Sequence, residues 1–257
     1  MIQKPTPPDW SDAPVVENYT DFSREAFWGA YHWQAAVGLY RSGLHKTKGD
    51  VLDIGCGPGW LTFILKDMSP EAFCCGLDLS EEMVEAAQTI AQQKQYTDLR
   101  FVQGDAGQLP FPDNSFDLVT SCFSFRLWDD QIRGLQEAYR VVRPGGLVYI
   151  ADISGDVPLE QREQILDAAP QSGRTFLKLA MEMGIPEAEV RELATKTGIP
   201  VWECRIGGMG GYLPTQREVL DWVGEGFPLR HLYSLVQGKD WARELGKYWF
   251  HLYLEKP

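Results

Sequence analysis

Along this chain, short apolar runs alternate with stretches whose apolar residues return every three or four positions. That alternation predicts strands and amphipathic helices in turn. Val51 to Ile54 reads as a strand and Leu61 to Asp67 as the helix after it. Ala72 to Leu79 is a second buried strand; Ser80 then caps a helix that opens with Glu81 and Glu82 and turns Met83, Ala87, Ile90 and Ala91 inward. Leu99 to Gly104 and Phe116 to Cys122 are the next strands, followed by a helix from about Asp129 to Val142. Arg143-Pro144-Gly145-Gly146 stops that helix and leads into a fifth strand, Leu147 to Ile153.

The flanks have a different rhythm. Residues 1–20 carry Pro5, Pro7, Pro8 and Pro14 and read as an extended arm; from Asp21, a candidate N-cap, to Leu44 the pattern is helical. Residues 155–213 hold three helix-like pieces, Pro158 to Ala169, Arg174 to Met183 and Pro186 to Lys196, and then the turn Gly207 to Gly211. A helix from Thr215 to Glu225, a strand Leu229 to Val236, a short helix Trp241 to Leu245 and a strand Lys247 to Leu254 complete the chain, with no internal repeat. Strands alternating with helices imply right-handed crossovers and a doubly wound, mostly parallel sheet of the α/β class.

Composition narrows the function. The 257 residues are 44% hydrophobic, enough for a sizeable core, and the formal net charge is −12. That charge disfavours a nucleic-acid partner, which calls for a basic surface. Five cysteines without Cys-x-x-Cys spacing argue against a zinc site or a disulfide framework. Neither a signal-like apolar core at the start nor a membrane-length apolar run is seen, so the expectation is a cytoplasmic protein without membrane or metal.

The chemistry concentrates in Val51-Leu52-Asp53-Ile54-Gly55-Cys56-Gly57-Pro58-Gly59-Trp60, a strand that breaks into alternating glycines and turns into a helix. Glycines there let a ligand approach bare backbone. A dinucleotide fingerprint needs glycine where this chain has Trp60, and a phosphate-binding P-loop needs Gly-Lys-Ser/Thr. What remains, Asp-x-Gly-x-Gly-x-Gly, offers a carboxylate and no cation, and suits a ligand with a sugar and an amino acid but no phosphates. Asp78 ends the second strand 21 positions after Gly57, where a carboxylate can accept hydrogen bonds from ribose hydroxyls.

Residues 50–60 resemble the first motif of the class I S-adenosylmethionine-dependent methyltransferases, and four further stretches in the same order extend the likeness over roughly residues 45–153. The resemblance implies a Rossmann-like fold: a seven-stranded, mostly parallel sheet with helices on both faces, its last two strands antiparallel. It implies one domain over 1–257, with an N-terminal arm and helical cover (1–44), a cofactor-binding core (45–154), a helical insertion covering the substrate (155–213), and a C-terminal helix with edge strands (214–257). The implied cofactor is S-adenosyl-L-methionine, held by Asp53, Gly55, Cys56, Gly57, Asp78, Leu79, Met83, Asp105, Ala106 and Cys122. In that reading Asp53 orders the loop and the methionine amino group, Asp105 accepts from the adenine amino group, and Cys122 and Phe123 lie beside the methyl.

The acceptor is less legible. Methyl transfer from a sulfonium gains mainly from orientation, so a general base is needed only for some acceptors. Phe123 to Asp130 departs from the family, where histidine is frequent around positions 125 and 126. Arg126 there can pair with an anionic substrate group, or with Asp129 or Asp130. Tyr31 and His32 are the N-terminal candidates for touching substrate, His32 being the best base candidate. His45 is placed at a helix end, His231 and His251 on edge strands, and Met181, Met183 and Met209 around an apolar pocket or in the core. The reading is methyl transfer to a small-molecule acceptor. Its alternatives are a non-catalytic sensor of the cofactor or its product, RNA or protein methylation, and, weakest, a nicotinamide-dependent dehydrogenase.

Overall fold

The computed structural model describes residues 5–207 and 240–257. One seven-stranded sheet runs through it in the order β3-β2-β1-β4-β5-β7-β6. Its strands are β1 (Asp50–Ile54), β2 (Phe73–Asp78), β3 (Leu99–Gln103), β4 (Phe116–Cys122), β5 (Val142–Ile153), β6 (Trp202–Ile206) and β7 (Trp249–Glu255). The first five are parallel; β7 runs antiparallel to β5 and β6. β1 pairs with β2 on one side and β4 on the other, so the chain reverses its winding there, and the carboxyl ends of these strands open a crevice.

Period-two alternation divides the core. Val51, Cys74, Leu118 and Tyr149 face one layer, while Leu52, Cys75, Val119 and Ile150 face the other. The first layer is covered by α1 (Ala13–Ala26), α2 (Trp28–Arg41), α3 (Trp60–Met68), α4 (Glu81–Gln93), α6 (Leu159–Ala168), α7 (Arg174–Met183) and α9 (Asp240–Gly246). The second is covered by α5 (Gln131–Val141) and α8 (Glu187–Lys196). Helices on both faces bury every central strand, which is why these read as continuous apolar runs.

Three expectations change. The helical N-terminus begins at Ala13, because Pro14 sits in the first turn, where a missing N–H costs nothing; Asp21 is inside α1 and caps nothing. A break at Phe27 (φ −106°, ψ 11°) then divides one expected helix into α1 and α2. The antiparallel edge strand is β6, inside the stretch read as a helical insertion; the strand expected at 229–236, the helix at 215–225, His231 and Met209 lie outside the described residues. β7 is consequently an inner strand, and His251 is held by its neighbours: its Nδ1 lies 3.0 Å from Tyr149 Oη, and burial pushes the imidazole down to about 4.

Candidate active site

The glycine loop is tied to the end of β2. Gly55 and Cys56 donate their N–H groups to Leu77 O at 2.7 and 3.0 Å, and Gly57 N–H donates to Asp78 Oδ2 at 2.8 Å. Gly55 (φ +66°) needs its glycine twice over, since a Cβ there would fall 2.1 Å from Ser124 Oγ. Trp60, where a dinucleotide loop would carry glycine, opens α3 and donates from Nε1 to Ser23 Oγ at 3.1 Å, fastening α1 over the loop.

Around this loop lies a cavity of about 240 Å³ at the carboxyl ends of β1, β2 and β4. All ten residues expected at the cofactor line it, and so does Tyr31. Asp53 is almost wholly buried and accepts a hydrogen bond from Thr62 Oγ1 at 2.6 Å; burial pushes its carboxyl up to about 7, with Asp78 adding to the rise. Burial also raises Asp78, against the pull of the N–H groups of Ser80 and Gly57 that its two oxygens accept. Asp105 accepts Gly107 N–H at 2.8 Å from its exposed turn. Burial raises the Tyr19 and Tyr31 phenols and the Cys56 and Cys122 thiols, so all four stay protonated near neutral pH.

Phe123 follows β4 with φ +64°, a left-handed conformation unusual for an aromatic residue. The turn is held by Phe123 N–H to Ala151 O (2.9 Å), and the ring packs 4.1 Å from that of Phe27. Beside it Ser124 Oγ gathers Ser121 Oγ, Ile54 O and Trp128 Nε1.

Two expected site residues are elsewhere. His32 is buried within α2, its Nδ1 2.8 Å from Trp28 O, and does not line the cavity; one position after Tyr31, it points about 100° around the helix from the face that carries Tyr31. Arg126 is also off the cavity wall and pairs with neither Asp129 nor Asp130. Its Nη1 donates to Asp152 Oδ1 at 2.6 Å and to Phe123 O at 2.8 Å, so its charge is matched inside the protein. Phe123, expected with Cys122 beside the methyl position, lines the cavity; sequence reasoning missed Trp10, Tyr19, Ser124 and Trp128 as individual wall residues. The cluster of eight aromatics between Trp10 and Tyr40 was the available signal for the first two. Met183 lines a small space beside the cavity, and Met181 belongs to the core.

Among the described lining residues are four carboxylates, Asp53, Asp78, Asp105 and Asp129, and no lysine, arginine or histidine. Such a wall repels phosphates and favours a cation. Among the described residues no cluster has the makings of a metal site, and no helix is long and apolar enough to cross a membrane.

A family model described as a methyltransferase domain matches residues 52–150. A demethylmenaquinone methyltransferase of Listeria welshimeri is 38% identical over 149 residues, 56% of this chain and 63% of that protein. One of Lactococcus lactis is 32% identical over 191 residues, 67% of this chain and 76% of the relative. The match thus spans less than two thirds of the first relative's length. In structure, the plantazolicin methyltransferase BpumL in complex with SAH superposes with a TM-score of 0.72 at 20% identity, over 96% of this chain and 92% of that one, a likeness of fold. A putative S-adenosyl-L-methionine-dependent methyltransferase from Methanococcus maripaludis gives 0.63 at 26% identity, over 80% and 92%.

Proposed function

The chain belongs to the class I S-adenosylmethionine-dependent methyltransferases, and from that premise we propose that it transfers the methyl group of S-adenosylmethionine to a small-molecule acceptor. One observation carries the choice of cofactor: the cavity wall has four carboxylates and no cationic side chain among its described residues. A ligand bearing ammonium and sulfonium charges suits it, whereas the pyrophosphate of a nicotinamide cofactor does not.

In this reading Asp78 turns its remaining lone pairs to the ribose hydroxyls while it holds Gly57 and Ser80. Leu79, Met83, Asp105 and Ala106 frame the adenine, and the bare backbone of Gly55 to Gly57 with Asp53 receives the methionine part. Beside a bound ammonium, Asp53 would be held in its ionised form, releasing its proton to solvent near neutral pH. Cys122, Phe123 and Tyr31, on the same cavity wall, would border the methyl group.

When bound, the cofactor supplies a methyl group on a sulfonium, a leaving group that needs no protonation. The protein's part is therefore to orient the acceptor, exclude water and keep the line of attack open. The Tyr19 and Tyr31 phenols, hydrogen-bonded to each other and held protonated by burial, leave one O–H to donate to the acceptor and provide no base. The reading gives the acceptor site to α1, α2 and the insertion together, because Tyr19 shares the cavity wall with Tyr31 and meets Phe176 of α7 edge-on in the space beside it.

Calorimetry with S-adenosylmethionine, its product S-adenosylhomocysteine and NAD tests the cofactor: the first two bind and NAD does not. Transfer of a labelled methyl group to a panel that includes demethylmenaquinone, the compound in the relatives' names, then tests the activity. Tight binding without transfer to any metabolite in a cell extract is the behaviour of a sensor, and absence of binding refutes the reading.

A further inference from the structure

Next to the cavity lies a second, smaller space, an annex. Trp10, Tyr19 and Phe123 form the wall between the two, and Phe176 and Leu179 of α7 close the far side. The wall is aromatic: Tyr19 meets Phe176 edge-on at 5.3 Å between ring centres and Trp10 at 5.1 Å, and Trp10 stacks on Phe176 at 6.2 Å. Rings of this kind favour an offset-stacked or edge-on aromatic neighbour.

One charged group interrupts this surface. Arg126 lines the annex with its side chain only 6% exposed, its guanidinium carbon 3.9 Å from the centre of the Phe123 ring. Nη1 is taken by Asp152 and Phe123 O, but Nε–H is buried without any acceptor. A buried donor left without a partner is costly, and a site built to pair it with ligand discriminates strongly for the ligand that supplies the acceptor.

We propose that the annex is the seat for the planar aromatic part of the methyl acceptor, and that Arg126 Nε–H donates a hydrogen bond to a neutral hydroxyl or carbonyl oxygen on that ring. A charged substituent is disfavoured on two grounds. The Arg126 charge is already balanced by Asp152, and the adjoining cavity contributes four carboxylates that repel an anion. This replaces the expectation of an anionic substrate at Arg126 with a neutral one. The annex offers about 10 Å³ as it stands, so a ring takes the place of Trp10. Trp10 lies in the irregular stretch before α1, where its carbonyl accepts a hydrogen bond from Ser80 Oγ at 2.8 Å. Displacing it would join annex and cavity, which share Trp10, Tyr19, Phe123 and Leu127 in their linings. Only the word acceptor rests on the methyl-transfer reading; the seat and its selectivity rest on the annex.

The test is equilibrium binding of 2-naphthol, 2-naphthoate and naphthalene to the full chain at pH 7.5, with and without saturating S-adenosylhomocysteine. The neutral, oxygen-bearing naphthol is expected to bind about tenfold or more tightly than either of the others. Leu179→Trp, at a half-buried position, fills the annex and should remove naphthol binding while S-adenosylhomocysteine affinity stays as it was. Arg126→Lys keeps a cation for Asp152 but has no Nε–H, and should bring naphthol to the level of naphthalene. Naphthoate binding as tightly as naphthol, no ring binding at all, or naphthol binding untouched by Leu179→Trp would each overturn the proposal. Failure of S-adenosylhomocysteine to bind beside an intact naphthol pattern would overturn the methyl-transfer reading and leave the seat standing.

Discussion

Replacing Asp53 by asparagine should stabilise the ligand-free protein at alkaline pH and leave it nearly unchanged in acid. Asp53 is buried, and burial lifts its carboxyl from 3.8 to about 7. The folded state therefore holds the proton more tightly than the unfolded chain does. The stability this gives is fully present below pH 4 and is lost as pH rises to about 7. The interval is worth about 4 kcal/mol, of which about 3 kcal/mol falls between pH 5 and pH 8. Asparagine does not titrate, and its carbonyl can still accept from Thr62 Oγ1 as Asp53 Oδ2 does. Urea unfolding followed by tryptophan fluorescence, run on both proteins at pH 5, 6, 7 and 8, isolates Asp53 together with its coupling to Asp78, because groups remote from the cavity titrate equally in the two. The stability gap in favour of Asp53→Asn should widen by about 3 kcal/mol over that range. A gap that stays constant with pH, or a variant less stable than the parent at pH 8, would refute the claim that this carboxylate is held in a desolvated, ligand-seeking state.

The same reasoning predicts that affinity for S-adenosylmethionine rises from pH 6 to pH 8 in the parent and is flat in Asp53→Asn, which calorimetry can read. Asp78→Asn, which keeps an acceptor for one of the two N–H groups but loses the charge, should weaken S-adenosylhomocysteine binding by about 2 kcal/mol; equal affinity would remove Asp78 from the ribose position. Gly55→Ala places a Cβ against Ser124 in a left-handed backbone and should cost about 3 kcal/mol in urea unfolding, part of it recovered by adding Ser124→Gly. Asp152→Ala leaves the buried Arg126 charge unpaired and should cost about 3 kcal/mol or more; a near-neutral result would mean that water reaches the pair.

Much of the fold was legible because β1 to β5 are buried on both sides and their helices on one, so burial wrote itself into the apolar pattern. The boundaries of β4 (Phe116–Cys122) and α7 (Arg174–Met183) were read directly from it. Where a segment has one exposed side, the reading slipped. β6 is a five-residue edge strand that shows Arg205 and Ile206 to solvent and has no run of buried residues to betray it. Pro14 was taken for a sign of extended chain although a proline also fits the first turn of a helix, and periodicity alone cannot decide between these.

The cofactor side of the cavity and the acceptor side differ in legibility for a related reason. Gly55, Asp78 and Asp105 each sit at or just beyond a strand end, so topology alone converges them on the crevice. The proposed acceptor side draws on α1, α7 and the turn after β4, elements distant in sequence and joined only by packing. Arg126 illustrates the difference. Its nearest carboxylates along the chain, Asp129 and Asp130, were the natural partners to expect, but the 3-10 turn at Phe125–Leu127 carries its side chain back over Phe123 to Asp152 on β5. The parallel pairing of β4 with β5 brings Cys122 beside Ala151, one residue short of Asp152. The strand register that builds the cofactor cavity therefore also neutralises the cation on its border. A variant that shifts this register should disturb acceptor selection before it disturbs the glycine loop, which is anchored on the other side of the crevice, to Leu77 and Asp78.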